Sequence, residues 1–265
     1  MEPIKVVVHG ALGKMGREVV RAVINDVELE LVGAVEKDVK QEYLPLPDTP
    51  SLIPYSSNLE FILNQSHPDV LVDFTTKQAA MSAVPIAVKH GTNLVIGTTG
   101  LSKQDLALID KLSKNNEVGA VVAPNFALGA VVMTHLAEIA AKFFDYAEII
   151  EMHHEQKTDA PSGTALSTAR AMVESRGRSF LHPSPQKETI SGSRGGELDG
   201  IALHSVRMPG LLAHQEIILG GPGQTLRIRH DTIGRECYMA GILLAVKEVS
   251  KFKGLVYGLD KLLGL

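Results

Sequence analysis

The sequence predicts an α/β protein in two parts: a parallel-sheet domain first, then a smaller α+β domain with an open mixed sheet. Three observations carry this. Short apolar, β-branched runs alternate with helical stretches from residue 4 to residue 126, the rhythm of a parallel sheet covered on both faces. The turn between the first run and the first helical stretch holds Gly10, Gly13 and Gly16. Beyond residue 200, three runs alternate in a β-like way, punctuated by Pro209-Gly210 and Gly220-Gly221-Pro222-Gly223, as antiparallel strands are.

Residues 4–8 form an apolar run of the kind buried on both faces of a sheet. The turn that follows, G-A-L-G-K-M-G, spans Gly10, Ala11, Leu12, Gly13, Lys14, Met15 and Gly16. Its glycines allow a tight turn, close approach to a pyrophosphate and packing of helix on strand. After a strand and before a helix, this is the mark of a Rossmann-type dinucleotide site, with GxxGxxG in place of GxGxxG. A second strand over 29–35 ends at Glu36-Lys37. An acid there suits the adenosine ribose hydroxyls, and a lysine suits a ribose 2′-phosphate, so both NADH and NADPH are expected. Residues 43–55, with four prolines, read as an irregular loop, and 59–63 as a short helix.

Strands follow at 70–74, 94–96 and 118–122, with helices at 79–89 and 101–114 between them. The strands end in Asp73-Phe74-Thr75-Thr76, in Gly97-Thr98-Thr99 and in Ala123-Pro124-Asn125-Phe126. Carboxyl ends of parallel strands line the ligand crevice, so these residues are expected to face the cofactor. A long apolar helix over 129–144 leads into the second domain. Residues 176–200, rich in Ser, Gly, Pro and charge, are expected to be mobile or partner-dependent. Strands are expected at 201–207, 213–219 and 225–230, a helix at 235–249 and a closing helix at 254–265. The expected division is a dinucleotide-binding domain of 1–126, completed by 235–265, and a substrate-binding and oligomerisation domain of 127–234.

The chemistry concentrates between residues 151 and 166, E-M-H-H-E-Q-K-T-D-A-P-S-G-T-A-L, a loop joining a strand at 146–152 to a helix that begins at Pro161. His153 and His154 supply imidazoles, the side chain suited to passing a proton either way, and neighbours in a strand need not share a role. Lys157 is a cation that becomes a proton donor when desolvated. Ser162, Gly163 and Thr164 sit where the first helical N–H groups lack partners and attract anions. Together they suit a small anionic substrate that needs a proton.

Bulk properties narrow the field. The 265 residues are 45% hydrophobic and 21% charged, the balance of a folded chain with a sizeable core. A net charge of −4 gives no reason to expect nucleic acid, and no apolar run suits a bilayer. The chain opens straight into a strand, so no secretion signal is expected. Cys237 is the only cysteine, which fits a reducing compartment such as the cytoplasm. H-E-Q-K-T carries Thr158 where a zinc protease has its second histidine, and no metal is expected. His9, His67, His90, His135, His182 and His204 read as structural or surface groups, while His214 and His230 stay open.

These motifs converge. The sequence resembles the bacterial dihydrodipicolinate reductases, also called 4-hydroxy-tetrahydrodipicolinate reductases, over essentially its whole length. The resemblance rests on G-A-L-G-K-M-G, V-D-F-T, G-T-T-G, A-P-N-F and above all E-M-H-H-E-Q-K-T-D-A-P-S-G-T-A, with S-V-R-M-P-G-L-L-A-H-Q-E and R-H-D-T-I-G-R in the tail. It implies NADPH- or NADH-dependent reduction of a dicarboxylate heterocycle in lysine and diaminopimelate biosynthesis, by a homotetramer joined through the second-domain sheet. It implies that residues 10–15 hold the pyrophosphate, Glu36 and Lys37 the ribose, and residues 97–99 and 123–126 the nicotinamide side. It implies His153 and Lys157 as the proton-transfer residues. His154, Gly163 and Thr164 would bind substrate, and Arg235 a carboxylate. Two other readings share parts of the pattern: a two-domain amino-acid dehydrogenase, and a cofactor sensor without turnover.

Overall fold

The computed structural model describes residues 2–39, 41–44 and 52–265. The chain forms two compact units, residues 1–128 with 238–265, and residues 129–237.

The first unit is built on strands that are apolar because both faces are covered. β1 (Ile4–His9), β2 (Leu29–Val35), β4 (Val70–Asp73), β5 (Asn93–Ile96) and β6 (Gly119–Val122) join the short β3 (Tyr55–Ser56) and β12 (Gly254–Tyr257). The seven-stranded order is β12-β6-β5-β4-β1-β2-β3, and every pairing is parallel. The strand order reverses at β1, with β2 on one side and β4 on the other. Such a switch point opens a crevice at the carboxyl ends of the strands. The helices of this unit are α1 (Lys14–Asn25), α2 (Leu59–Ser66), α3 (Lys77–Lys89), α4 (Lys103–Asn115), α7 (Met239–Glu248) and α8 (Leu259–Leu263). The 3-10 turn Val249–Lys251 follows α7. Ile62, Leu63, Leu71, Leu94, Ile96 and Ile109 are fully buried between sheet and helices, each contributing roughly 1.5–3 kcal/mol.

The second unit packs α5 (Leu128–Ala141) and α6 (Gly163–Arg176) on one face of a five-stranded sheet. Its strands are β7 (Tyr146–His153), β8 (Gly196–Leu198), β9 (Ile201–Arg207), β10 (Ala213–Gly221) and β11 (Gln224–Thr232). The order is β11-β10-β7-β9-β8, with β7 parallel to β9 and the other pairs antiparallel. Ile149, Leu203, Ile217 and Leu219 point into the core with Ala165, Ala169 and Met172 of α6. The turn Pro222-Gly223 closes a two-residue hairpin, with Gly223 at φ 71°, so the glycine cluster there is a turn.

Several expectations are corrected. Residues 254–265 do not form one helix. Gly254–Tyr257 is a strand added to β6, and only Leu259–Leu263 is helical. Pro161 is not the first helical residue, because Ser162 is the N-cap and α6 starts at Gly163. The stretch 176–200 is anchored. The Phe180 N–H donates to Asp199 O, the Leu181 N–H to Asp145 O, and β8 pairs with β9. Of the 43–55 loop, Tyr43 bridges Pro54, and Tyr55–Ser56 pairs with β2; Pro45, Pro47 and Pro50 lie outside the described residues.

Candidate active site

The glycine turn in the first unit is built as the sequence requires. Gly10 has φ 82°, and a Cβ there would stand 2.8 Å from Phe74 O. A Cβ on Gly16 would stand 1.9 Å from Gly10 O, so helix and turn close on each other only through glycine. The amides of Gly10 and Ala11 donate to Val35 O, and that of Gly13 to Gly10 O. The Leu12 amide donates to Glu36 Oε2 at 3.0 Å, and the Lys37 amide to Glu36 Oε1 at 3.0 Å. These bonds hold the turn against the end of β2. They also leave the amides of Lys14, Met15 and Gly16, at the start of α1, with no bonding partner among the described residues. α1 has Gly13 as N-cap, no side-chain cap and no acid in its first turn. An open, uncapped helix start fits a pyrophosphate, and exposed Lys14 adds charge.

The expected crevice residues divide by task. Asp73 is 2% exposed and accepts from His9 Nδ1 at 2.7 Å, Thr98 Oγ1 at 2.7 Å and the Thr75 amide at 3.1 Å. The Thr98 side chain is therefore turned inward and ties β5 to β4. His9, read as structural, is part of this strut. A Cβ on Gly97 would lie 2.1 Å from the Phe74 ring, which also meets the Phe126 ring at a centroid distance of 6.0 Å. Phe74, Gly97 and Phe126 thus form one apolar platform across three strand ends. Thr99 and Pro124 are exposed beside it, and Asn125 Oδ1 accepts the Ala127 amide. Ala123 is buried behind them.

In the second unit the motif is gathered around Glu151, which sequence reasoning left without a role. Glu151 is 1% exposed. Its Oε2 lies 2.6 Å from His153 Nδ1 and 2.9 Å from Arg207 Nη1. Its Oε1 lies 2.7 Å from Arg207 Nη2 and 3.2 Å from the Ser162 amide. Arg207 Nη2 also donates to Asp159 O at 2.7 Å, and Asp159 Oδ1 accepts from Lys157 Nζ at 2.5 Å. The Lys157 amide donates to His154 O, closing a tight turn. Glu151 and His153 are two apart in β7 and share a face, while His154 has left the strand.

The helix start is specific too. Ser162 Oγ caps the Ala165 amide at 3.2 Å, and the Ser162 carbonyl takes the Leu166 amide. Ser162 is thereby buried scaffolding, and the amides of Gly163 and Thr164 remain for an anion. A Cβ on Gly163 would meet nothing within 4 Å, so the space above it is open. Arg235 stands exposed on the 3-10 turn Arg235–Tyr238.

Charges in this loop are set by their surroundings. Burial pushes the Glu151 carboxyl up, but the hydrogen bonds from Arg207, Ser205 and His153 outweigh it and hold the group below the usual carboxylate range. Burial pushes His153 below the usual imidazole range, against the pull of Glu151. Lys157 holds the Asp159 carboxyl low. At neutral pH His153 is therefore a neutral imidazole bonded to a carboxylate. Of the two histidines left open, His214 Nδ1 sits 2.8 Å from Asp231 Oδ1, and the His230 ring covers Gly129. Among the described residues no cluster of three His, Cys, Asp or Glu could hold a metal ion.

Two family models match, dihydrodipicolinate reductase N-terminus over residues 4–126 and dihydrodipicolinate reductase C-terminus over residues 129–263. The chain belongs to the dihydrodipicolinate reductase family. A 4-hydroxy-tetrahydrodipicolinate reductase of Dehalococcoides mccartyi is 56% identical over 265 residues, all of both chains. One of Moorella thermoacetica is 48% identical, over 98% of each chain. The solved structure of a dipicolinate-bound dihydrodipicolinate reductase from Paenisporosarcina sp. TG-14 superposes with a TM-score of 0.88 at 41% identity, over 98% of this chain and 99% of that one. Family membership carries a nucleotide-binding first domain, and the uncapped start of α1 suits it.

Proposed function

We infer that this reductase converts 4-hydroxy-tetrahydrodipicolinate to tetrahydrodipicolinate with NAD(P)H, a step toward diaminopimelate and lysine. The observation that carries the reading at the residue level is the loop of the second unit. There His153 and the Ser162 amide bond one buried carboxylate, Arg207 links that carboxylate to the Asp159 carbonyl beside Lys157, and the next two amides, of Gly163 and Thr164, stay free. Bound NAD(P)H supplies a hydride to a ring carbon conjugated to C=N, which pushes electron density toward the ring nitrogen. The chain's residues do the rest. The Gly163 and Thr164 amides, His154 and Arg235 hold the two carboxylates and orient the ring. Lys157 donates the proton that completes the reduction, and His153 accepts or returns a proton during loss of the hydroxyl as water.

Lys157 is parked on Asp159; a substrate carboxylate replaces that partner and frees an N–H for transfer. In the first unit the amides of Lys14, Met15 and Gly16 hold the pyrophosphate, and Phe74, Gly97 and Phe126 support the nicotinamide. Glu36 receives ribose hydroxyls and Lys37 a 2′-phosphate, so both NADH and NADPH serve. The enzyme works in the cytoplasm as a homotetramer joined through the outer face of the five-stranded sheet. On that face Ile150 and Ile218 sit among Glu216, Arg227 and Arg229.

The deciding experiment is a steady-state assay with freshly made substrate, run once with NADH and once with NADPH. Saturable oxidation of at least one cofactor is expected. Binding of the cofactor without turnover would reduce the protein to a sensor.

A further inference from the structure

Glu151 takes no part in the proton chemistry above, yet it bonds one of the two groups that do, His153. It is almost fully buried, spans His153, the Ser162 amide and both arms of Arg207, and through Arg207 reaches the Asp159 carbonyl in the loop that carries Lys157. Stability alone does not account for it. A buried ion pair is expensive to desolvate, and well-packed apolar residues of the same volume often serve a fold equally well. A neutral imidazole has two tautomers, and a carboxylate on one ring nitrogen selects between them.

We propose that Glu151 is a positioning residue for the reduction. It keeps the proton of His153 on Nδ1, so that Nε2 is the nitrogen that exchanges a proton with substrate, and Arg207 holds Glu151 in that posture. This rests on the reading of His153 as a proton-transfer residue. Arg207 approaches Glu151 with two parallel N–H groups, the geometry that fixes a carboxylate in direction as well as in charge. The charged groups facing His153 are Glu151 from β7, Arg207 from β9, and Lys157 from the loop. Glu151 alone among them raises its proton affinity.

The test uses the full-length enzyme. Glu151→Gln should lower kcat about tenfold to a hundredfold, on the scale of the loss when a metal-bound histidine is deprived of its orienting partner, with the KM for NAD(P)H unchanged. The acid limb of the pH profile should move to lower pH, because burial, Lys157 and Arg207 then act on His153 without opposition. In a His153→Ala background, Glu151→Gln should add little, since its effect travels through His153. Parental kcat in Glu151→Gln, or losses that multiply in the double variant, would overturn the proposal. Should Glu151→Gln fail to fold, nitrogen-15 NMR of the unsubstituted enzyme decides: Nδ1 protonated and Nε2 bare at neutral pH supports it, and the reverse tautomer ends it. Parental turnover in His153→Ala sinks the role of His153 itself, an outcome distinct from any behaviour of Glu151→Gln.

Discussion

At the scale of single residues, the two helix starts use different means to the same end, which is to leave a few backbone amides without a partner. Around α1 the protein spends the amides of residues 10–13 on itself and leaves those of Lys14, Met15 and Gly16. At α6 it caps Ala165 with Ser162 and leaves Gly163 and Thr164. With Lys157 in the proposed role of proton donor, Lys157→Ala should lower kcat on the order of 10²–10⁴, while the dissociation constant of NADPH, read by fluorescence titration, stays at the parental value. Lys37→Ala should raise the KM for NADPH and leave that for NADH, a split visible in parallel steady-state curves. If both cofactors suffer equally, Lys37 serves the turn rather than the phosphate. The placement of Gly163 at a helix start and of Lys157 in the loop before it was legible in the sequence because it depends on chain neighbours. Glu151 and Arg207 were not, because residues 56 apart become partners only when β7 and β9 pair in parallel.

At the scale of elements, caps and edges decide where each piece starts and stops. α4 begins with a reciprocal capping box, Ser102 to the Asp105 amide and Asp105 back to the Ser102 amide. Removing the Ser102 hydroxyl in Ser102→Ala should cost about 0.5–2 kcal/mol, read as a lower Tm. Lys77 and Ser102 hold the Asp105 carboxyl down at about 2. Its folded value lies below its unfolded value, so its contribution is complete above the ordinary Asp range and is lost as pH falls toward about 2. Between those limits the Tm difference between parent and Asp105→Asn should shrink. The strand Gly254–Tyr257 shows the limit of periodicity. Four residues carry too short a pattern to separate strand from helix. What makes them a strand is the exposed edge of β6, with Asp110 Oδ1 accepting the Leu255 amide at 3.0 Å.

At the scale of the whole molecule, two sheets with opposite burial habits coexist in one chain. The parallel sheet is apolar on both faces and ends within its own unit. The mixed sheet is apolar toward α5 and α6, but its other face carries Ile150 and Ile218 among charges. An uncovered sheet face of that kind calls for a partner, and under the proposed assembly copies of the same chain supply one. Ile218→Asp should therefore lower the solution mass measured by light scattering from a tetramer to a smaller species. An unchanged mass would place the interface elsewhere. Among the described residues no helix is long and apolar enough to cross a membrane.

The amino-acid sequence by itself determined what depends on neighbours along the chain. That covers the strand–helix rhythm of the first 126 residues, the glycine turn, the hairpin at Pro222-Gly223 and the loop of histidines and lysine. Tertiary structure alone decided what depends on distant residues meeting. It turned Thr98 inward to Asp73, made Ser162 a buried cap, and added β12 to the sheet. It also gathered His153, Arg207 and the Lys157 loop onto Glu151. The physical reason is the same in each case: a buried polar group or a bare strand edge must find a partner, and the partner is chosen by proximity in space.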